Sequence, residues 1–344
     1  MNGGPAAVGI AEWWPILPVA GAAAIVSALV IRLIRPHLLK HALAKPNARS
    51  SHRIPTPQGA GIAVVAATLV VAGAVLTGRL PAALFGATLF IAALGFADDL
   101  KPVPVLPRLL LQAIAVGAVV FTSPAELRIA SVVPFWIERS LLVLAGLWFV
   151  NLVNFMDGLD WMTAAEVVPV TAALAILGAQ GDLPLPAMIV AAALCGAMIG
   201  FAPFNRPVAS IFLGDVGSLP IGLIVGWGLL QLAGQHHLAA ALLMPLYYLA
   251  DATITLLRRM MRREPVWVAH RSHFYQRATD NGFGVTQVVG EVFVLNLVLA
   301  VLAAASIRVG SLALEVALVV LGAAAVALVM VRFSRQRGNK AAAV

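Results

Sequence analysis

Long apolar segments follow one another through this chain of 344 residues, with only short interruptions. A helix crossing the hydrocarbon of a bilayer needs roughly 20 mostly apolar residues. Eleven segments of that kind can be drawn, at about 12–35, 58–77, 80–97, 106–122, 138–156, 161–178, 184–203, 217–234, 237–258, 286–307 and 311–332. Lipid offers no partners to a bare backbone, so each is expected as a helix. The sequence therefore predicts an all-α polytopic membrane bundle of about eleven transmembrane helices, one integral membrane unit over 1–344. With 61% hydrophobic and 11% charged residues and a mean hydropathy of +0.95, no large soluble domain is available. Met1 to Pro5 lack the basic region of a secretory signal, so the first segment is expected to stay as an anchor, with Trp13 and Trp14 at its outer interface.

The loops predict orientation. With these segments, 19 of the 23 Lys and Arg fall on one side: six over residues 32–53, Lys101 and Arg108, Arg206, six between Arg258 and Arg277, and four from Arg332 onward. Only Arg79, Arg128, Arg139 and Arg308 fall on the other. The rich side is expected to be cytoplasmic, with the N-terminus outside and the C-terminus inside. The net charge of +8 is mostly this topology signal, and nucleic-acid binding is not expected because no soluble basic domain exists to present it. Cys195, alone and inside an apolar stretch, excludes disulfides and reads as a small buried hydrophobe. On the outer side, Pro124, Pro134 and the run Ile129 to Val133 allow a short strand or hairpin. On the inner side, loops at about 36–57, 98–105, 157–160, 204–216 and 259–285 hold most of the polar residues.

Acidic residues gather at segment ends on that same side. Asp98 and Asp99 close one segment; adjacent carboxylates at a membrane boundary need a cation, for which Mg²⁺ competes with Lys101 and Arg108. Asn151, Asn154, Asp157 and Asp160 follow another segment, and steps of three keep the last three within about a third of a helix circumference, with Gly158 permitting a break. Asp215 lies between Gly214 and Gly217; Ser218 reads as an N-cap and Leu219-Pro220 as a helix start. In the first basic loop, Lys45 to Gly61, prolines fix an extended approach, and Gly59 and Gly61 would let a phosphate reach backbone N–H groups; an ordinary basic turn is the competing reading. The last loop pairs Arg258, Arg259, Arg262 and Arg263, which read as membrane anchors, with His270, Arg271 and His273, which suit pyrophosphate or sugar. Asp251, inside a segment about two turns before Arg258, reads as an exchange residue or as a partner of that basic end. His236 and His237 read as solvated loop residues.

Five of these blocks, in this order, resemble the polyprenyl-phosphate N-acetylhexosamine-1-phosphate transferases. They are Pro46-Asn47-x-Arg49 to Pro55-Thr56-Pro57, Asp98-Asp99, Asn154-x-x-Asp157-Gly158-x-Asp160, Phe212-x-Gly214-Asp215-x-Gly217-Ser218 and His270-Arg271-Ser272-His273-Phe274. The resemblance spans residues 46 to 277. It implies a transfer of sugar-1-phosphate from a UDP-N-acetyl sugar to a polyprenyl phosphate lipid such as undecaprenyl phosphate, releasing UMP, with Mg²⁺ required and Mn²⁺ as a substitute. By the same resemblance, Asp215 is the best metal ligand. Asp98 and Asp99 would join the metal site or deprotonate and orient the lipid phosphate. Asp157 and Asp160 would hold the nucleotide sugar, and Asn205 and Phe212 would meet uracil. His270, Arg271 and His273 would meet pyrophosphate or sugar, with Asn154, Arg49, Arg53 and Thr56 completing the substrate contacts.

The chain departs from the pattern twice. Pro57-Gln58-Gly59-Ala60-Gly61 stands where many relatives have Arg and three glycines, so one phosphate contact is expected to be either missing or replaced by Arg53. The His block lacks the consecutive histidines of the enzyme acting on the muramyl-pentapeptide nucleotide, so the resemblance points to the branch that begins O-antigen and related surface polysaccharides. A bacterial inner-membrane location with a cytoplasmic site is implied, and a homodimer is allowed but not specified. The competing classes are a secondary transporter or lipid-linked flippase, whose sites lie near the bilayer midplane, and a catalytically inert assembly scaffold.

Overall fold

The computed structural model describes residues 15–44, 55–265, 268 and 270–337. The expected Trp13, Trp14, Pro46, Asn47, Arg49 and Arg53 features lie outside the described residues. The chain is almost wholly helical: α1 Ile16–His41, α2 Gly61–Val75, α3 Ala82–Leu100, α4 Val105–Thr122, α5 Phe135–Met156, α6 Met162–Ala179 and α7 Leu185–Phe201, the last prolonged by a 3-10 turn, Ala202–Phe204. Then come α8 Asp215–Gly234, α9 Leu238–Leu243, α10 Leu246–Met261, α11 Phe274–Asp280, α12 Val285–Arg308 and α13 Leu312–Ser334. Two strands of two residues, β1 Leu43–Ala44 and β2 Thr56–Pro57, pair antiparallel, Leu43 opposite Pro57.

Among the described residues, nine helices are long and apolar enough to cross a membrane, and the chain is a multi-pass membrane bundle. The other two expected segments are present but altered. The segment at 58–77 gives only the 15-residue α2, because Gln58 to Gly61 are hydrogen-bonded to another loop instead of continuing a helix. The segment at 237–258 breaks at Pro245 into α9 and α10, since proline cannot donate the ladder hydrogen bond. α1 runs on past residue 35 to His41 with Pro36 inside it, so Arg35, His37 and Lys40 decorate a helix end rather than a loop.

α8 is the most enclosed of the long helices and sits between α3 and α5, while α7 packs between α1 and α6. Lipid removes the hydrophobic drive for helices to associate, so close packing of small residues takes over. A Cβ on Gly196 would stand 2.0 Å from the Ala20 carbonyl oxygen, and one on Gly200 2.3 Å from that of Ala24; this small-residue seam lets α7 lie directly on α1. α1 and α13 leave most of their apolar surface outward.

The strand allowed at 129–133 does not form. Glu138 accepts the N–H groups of Ile129 (2.7 Å) and Ala130 (2.8 Å) and pairs with Arg128, while the fully buried Arg139 donates to the carbonyls of Val120, Pro124 and Leu127. Side chains at the start of α5 thus satisfy the backbone that a hairpin would otherwise pair.

Candidate active site

The acid-bearing ends of α3, α5 and α8 meet at one end of the bundle. Gly214, at φ +79°, turns the chain into α8, which starts at Asp215; Ser218 and Pro220 lie inside the helix, not at its start. The capping expected of Ser218 is supplied from another helix. Asp99 accepts the N–H of Asp215 through Oδ1 (2.9 Å) and that of Val216 through Oδ2 (3.0 Å), and the Gln58 carboxamide donates to Oδ1 as well. An anion on the free N–H groups of a helix start gains from both the hydrogen bonds and the dipole. Any side chain on Gly214 would collide with it, since a Cβ there would fall 2.6 Å from Asp99 Oδ2.

The other acids have distinct partners. Asp98 accepts the Val103 N–H (2.6 Å) and the Arg108 guanidinium (2.5 Å), and its carboxyl also reaches that of Asp215. Asp215 Oδ1 accepts Asn154 Nδ2 at 2.7 Å, and the same nitrogen reaches Ser218 Oγ at 2.9 Å. Asp157 accepts the Thr163 hydroxyl; burial pushes its carboxyl up to about 7, with Asp99 and Asp160 nearby adding to the rise. Asp160 accepts the Ala209 N–H (3.0 Å), tying the loop after α5 to the loop before α8.

The phosphate cradle expected at Gly59 to Gly61 is not available. The N–H groups of Gly59 and Ala60 both donate to Phe212 O (3.0 Å each), and that of Gly61 donates to Leu213 O (2.9 Å). The small residues serve packing instead, since a Cβ on Gly61 would lie 2.2 Å from Gly217 Cα. Thr56 is buried in β2. Asn205, expected at the substrate, is buried with its Oδ1 accepting the Trp161 N–H (2.8 Å) and its Nδ2 donating to Ile211 O (3.1 Å), so it braces the loop. Phe212 is half-buried beside Gln58.

The His block is organised by a residue whose role the sequence left open. Asp251, fully buried on α10, pairs with His273 Nδ1 (3.1 Å) and accepts the N–H groups of Phe274 (3.0 Å) and Tyr275 (3.2 Å) at the start of α11. It does not pair with Arg258, which instead stacks on the Phe274 ring. His270 stacks on His273 with centroids 4.9 Å apart and meets Ser272 Oγ at 2.8 Å; burial, then His273 and Arg259, pull it down to about 4, so it is neutral near pH 7. Arg271 turns away, toward Thr279 (2.9 Å) and Asp280 (3.2 Å) on α11, where it fixes the helix rather than joining the acids.

A cavity of about 640 Å³ links these groups. Its walls include Leu109, Leu147, Trp148, Phe155 and Leu256, and its polar end presents Arg108, Asn151, Asn154, His270 and His273. Arg108 and Asn154 are the residues that grip Asp98 and Asp215, so the cavity lies beside those two acids. Among the described residues, no three His, Cys, Asp or Glu side chains close into a preformed metal cage. Asp98 and Asp215 are nevertheless hard oxygen donors at one point, to which Asn154 would add its Oδ1 once its amide turns, fitting a cation that takes few protein ligands and completes its shell with substrate phosphate and water.

The chain's similarity to known proteins agrees with this geometry. A family model described as glycosyl transferase family 4 matches residues 81–233. A probable undecaprenyl-phosphate N-acetylglucosaminyl 1-phosphate transferase of Bacillus subtilis is 27% identical over 303 residues, covering 80% of this chain and 82% of that protein. A decaprenyl-phosphate N-acetylglucosaminephosphotransferase of Mycolicibacterium smegmatis is 30% identical over 211 residues, 54% of this chain and 52% of that one. A phospho-N-acetylmuramoyl-pentapeptide-transferase of Ruegeria pomeroyi is 27% identical over 259 residues, 64% and 71% of the two chains. Residues 81–233 therefore resemble glycosyl transferase family 4, and the chain is similar to polyprenyl-phosphate N-acetylglucosamine-1-phosphate transferases.

Proposed function

We propose that this protein transfers N-acetylhexosamine-1-phosphate from a UDP-N-acetyl sugar, of which UDP-GlcNAc is the first choice, to undecaprenyl phosphate, releasing UMP and starting a surface polysaccharide. The carrying observation is the cavity whose walls are apolar and whose polar end, Arg108, Asn154, His270 and His273, adjoins the acids. A prenyl phosphate matches that division, tail against the walls and phosphate at the polar end. The donor would approach from the cytoplasmic face, with the N-terminus outside.

An oxygen of the lipid phosphate attacks the β-phosphorus of the donor, the phosphoanhydride bond to the α-phosphate oxygen breaks, and UMP carries away the charge. Such transfers depend mainly on positioning and charge neutralisation. A divalent cation, Mg²⁺ or Mn²⁺, held by Asp215, Asp98 and Asn154, would offset charge on the diphosphate. Arg108 would meet the lipid phosphate, His270 in its neutral form would donate to the pyrophosphate together with His273, and Phe212 would stack on uracil. Asp157 and Asp160 would hold the nucleotide sugar, with Arg49, Arg53 and Thr56 as further substrate contacts. The acceptor is already an anion, so a single displacement without a covalent enzyme intermediate suffices. A transport reading is weaker because the acids sit at helix ends and not at the bilayer midplane.

The test is incubation of the purified protein in detergent with undecaprenyl phosphate, Mg²⁺ and a panel of UDP-N-acetyl sugars, measuring UMP and lipid-linked product. UMP release that requires lipid, metal and one sugar is expected. No UMP from any donor, in folded protein, would refute the reading, and a phospho-sugar trapped on an Asp would refute the single displacement.

A further inference from the structure

Gln58 occupies the first turn-in of the chain toward α2, and its side chain reaches the acids through Asp99. Its carboxamide donates to Asp99 Oδ1, the same oxygen that accepts the Asp215 N–H, while Asp99 Oδ2 accepts the Val216 N–H. The main chain around Gln58 is locked to the loop before α8: Phe212 N–H donates to Pro57 O (2.8 Å), and the N–H groups of Gly59, Ala60 and Gly61 return to Phe212 O and Leu213 O, while that of Gln58 donates to Ala42 O (2.9 Å). Gly214 keeps the space open, since a Cβ there would come within 3.0 Å of Gln58 Cγ as well as against Asp99. Both carboxylate oxygens of Asp99 are thus occupied by the α8 entry, and the Gln58 amide sets where that carboxylate sits.

We propose that Gln58, acting through Asp99, is a positioning residue: it fixes the N-terminal turn of α8 and so aims the Asp215 carboxylate at the cleft. This makes Asp99 a cap, not a group that meets substrate. The proposal rests on the reading of Asp215 as a metal-holding residue only for its consequence in turnover; the relay itself is a statement about backbone order.

The experiment places Gln58→Met, a side chain of similar length with no donor, in the wild-type and Asp99→Asn backgrounds of the full chain. Backbone hydrogen exchange over Leu213 to Ser218 is measured first, then the Mg²⁺ midpoint of activity and the KM for the UDP-N-acetyl sugar. Loss of a hydrogen bond to a charged acceptor should speed exchange in that segment about tenfold and raise the Mg²⁺ midpoint by a similar factor. The sugar-nucleotide KM and the protection of α7 should stay as in the wild type. In the Asp99→Asn background, Gln58→Met should add nothing, the non-additivity expected of groups acting in one chain. Gln58→Lys, which restores a donor, should return exchange toward the wild-type rate. Unchanged exchange in Gln58→Met, additive effects in the double variant, or protection lost equally throughout α7 would each overturn the relay. A wild-type enzyme indifferent to Mg²⁺ would overturn the metal reading of Asp215 instead, and exchange alone would then decide the relay.

Discussion

Asp251→Asn should disable the protein from a residue more than one side chain away from any substrate. The Asp251 carboxylate collects five donors: Thr255 Oγ1 (3.3 Å), His273 Nδ1 and the Phe274 N–H on Oδ1, and Tyr247 Oη (3.2 Å) and the Tyr275 N–H on Oδ2. An asparagine keeps one oxygen for the first three and turns an NH₂ group toward the other two. The Tyr247 hydroxyl can rotate to accept, but the Tyr275 N–H cannot, and a buried orphan donor costs about 1–3 kcal/mol. The three remaining bonds lose their charge assistance, about 1 kcal/mol each. Together roughly 4–6 kcal/mol of local stabilisation disappears from the start of α11, enough to release His270 and His273 from the polar end of the cavity. At a tenfold per 1.4 kcal/mol, even half of that loss expressed in turnover lowers kcat/KM about 100-fold. UMP release measures this directly, and tryptic cleavage after Arg271 and Arg277 reports release of the segment. Wild-type turnover together with wild-type protease resistance would refute the assigned role of Asp251.

Three further outcomes are expected. Arg108→Met, which leaves Asp98 without its cation and removes the guanidinium that the described residues place at the cavity's polar end, should lower kcat/KM for polyprenyl phosphate about 10- to 100-fold, with Arg108→Lys intermediate because it keeps the charge but loses the fork. Gly61→Ala should lower the thermal midpoint by the overpacking of a backbone contact, costing about 1–3 kcal/mol or more, while Gly86→Ala, with nothing within 4 Å of the new Cβ, should be neutral or slightly stabilising. Asp157, raised by burial to about 7, favours the folded state when protonated, so its stabilising contribution is complete below about pH 4 and is lost as pH rises through about 7. Asp157→Asn should flatten thermal stability over that window, and an unchanged pH dependence would remove the burial assignment.

The bundle was legible because the bilayer imposes length and hydropathy on each helix separately, and that information is local. Its exceptions are long-range. α2 starts late because the N–H groups of Gly59, Ala60 and Gly61 are claimed by Phe212 and Leu213, more than 150 positions away, and no pattern near Gly59 announces that pairing. The glycines at 59 and 61 have the same composition whether they admit a phosphate or a second helix, and only the 2.2 Å approach to Gly217 decides between the two. Asp215 was recognisable from its neighbours, whereas its Asn154 partner comes from α5 and its cap from α3. Asp251 carried a usable signal, being a carboxylate inside an apolar segment, which is costly unless it serves something. Its partners lie 22 to 24 residues onward across a loop, so the signal could mark the residue but not its task.

Asp99 and Asp251 solve one problem in the same way. A helix that begins near a membrane boundary has N–H groups with neither helical partners nor bulk water, and each of these carboxylates, carried on an earlier helix, accepts two of them at the start of a later one. In both cases the capped turn carries the side chain expected to do chemistry, Asp215 in α8 and the His273 that precedes α11. Asp160, holding Ala209 N–H, steadies the loop that leads into α8. The acids therefore divide by what they already hold. Asp99, Asp160 and Asp251 spend oxygen atoms on backbone, while Asp215 and Asp157 meet only side chains, and Asp98 divides its two oxygens between Val103 and Arg108. A carboxylate that meets a side chain can exchange that partner for a cation or a substrate hydroxyl without unfolding a helix end. One that caps a helix cannot. On this ground Asp98, Asp157, Asp160 and Asp215 are the acids able to act, and substitutions at Asp99 and Asp251 should lower activity through disorder of a helix start, with Leu213 to Ser218 and Phe274 to Asp280 losing protection before turnover falls.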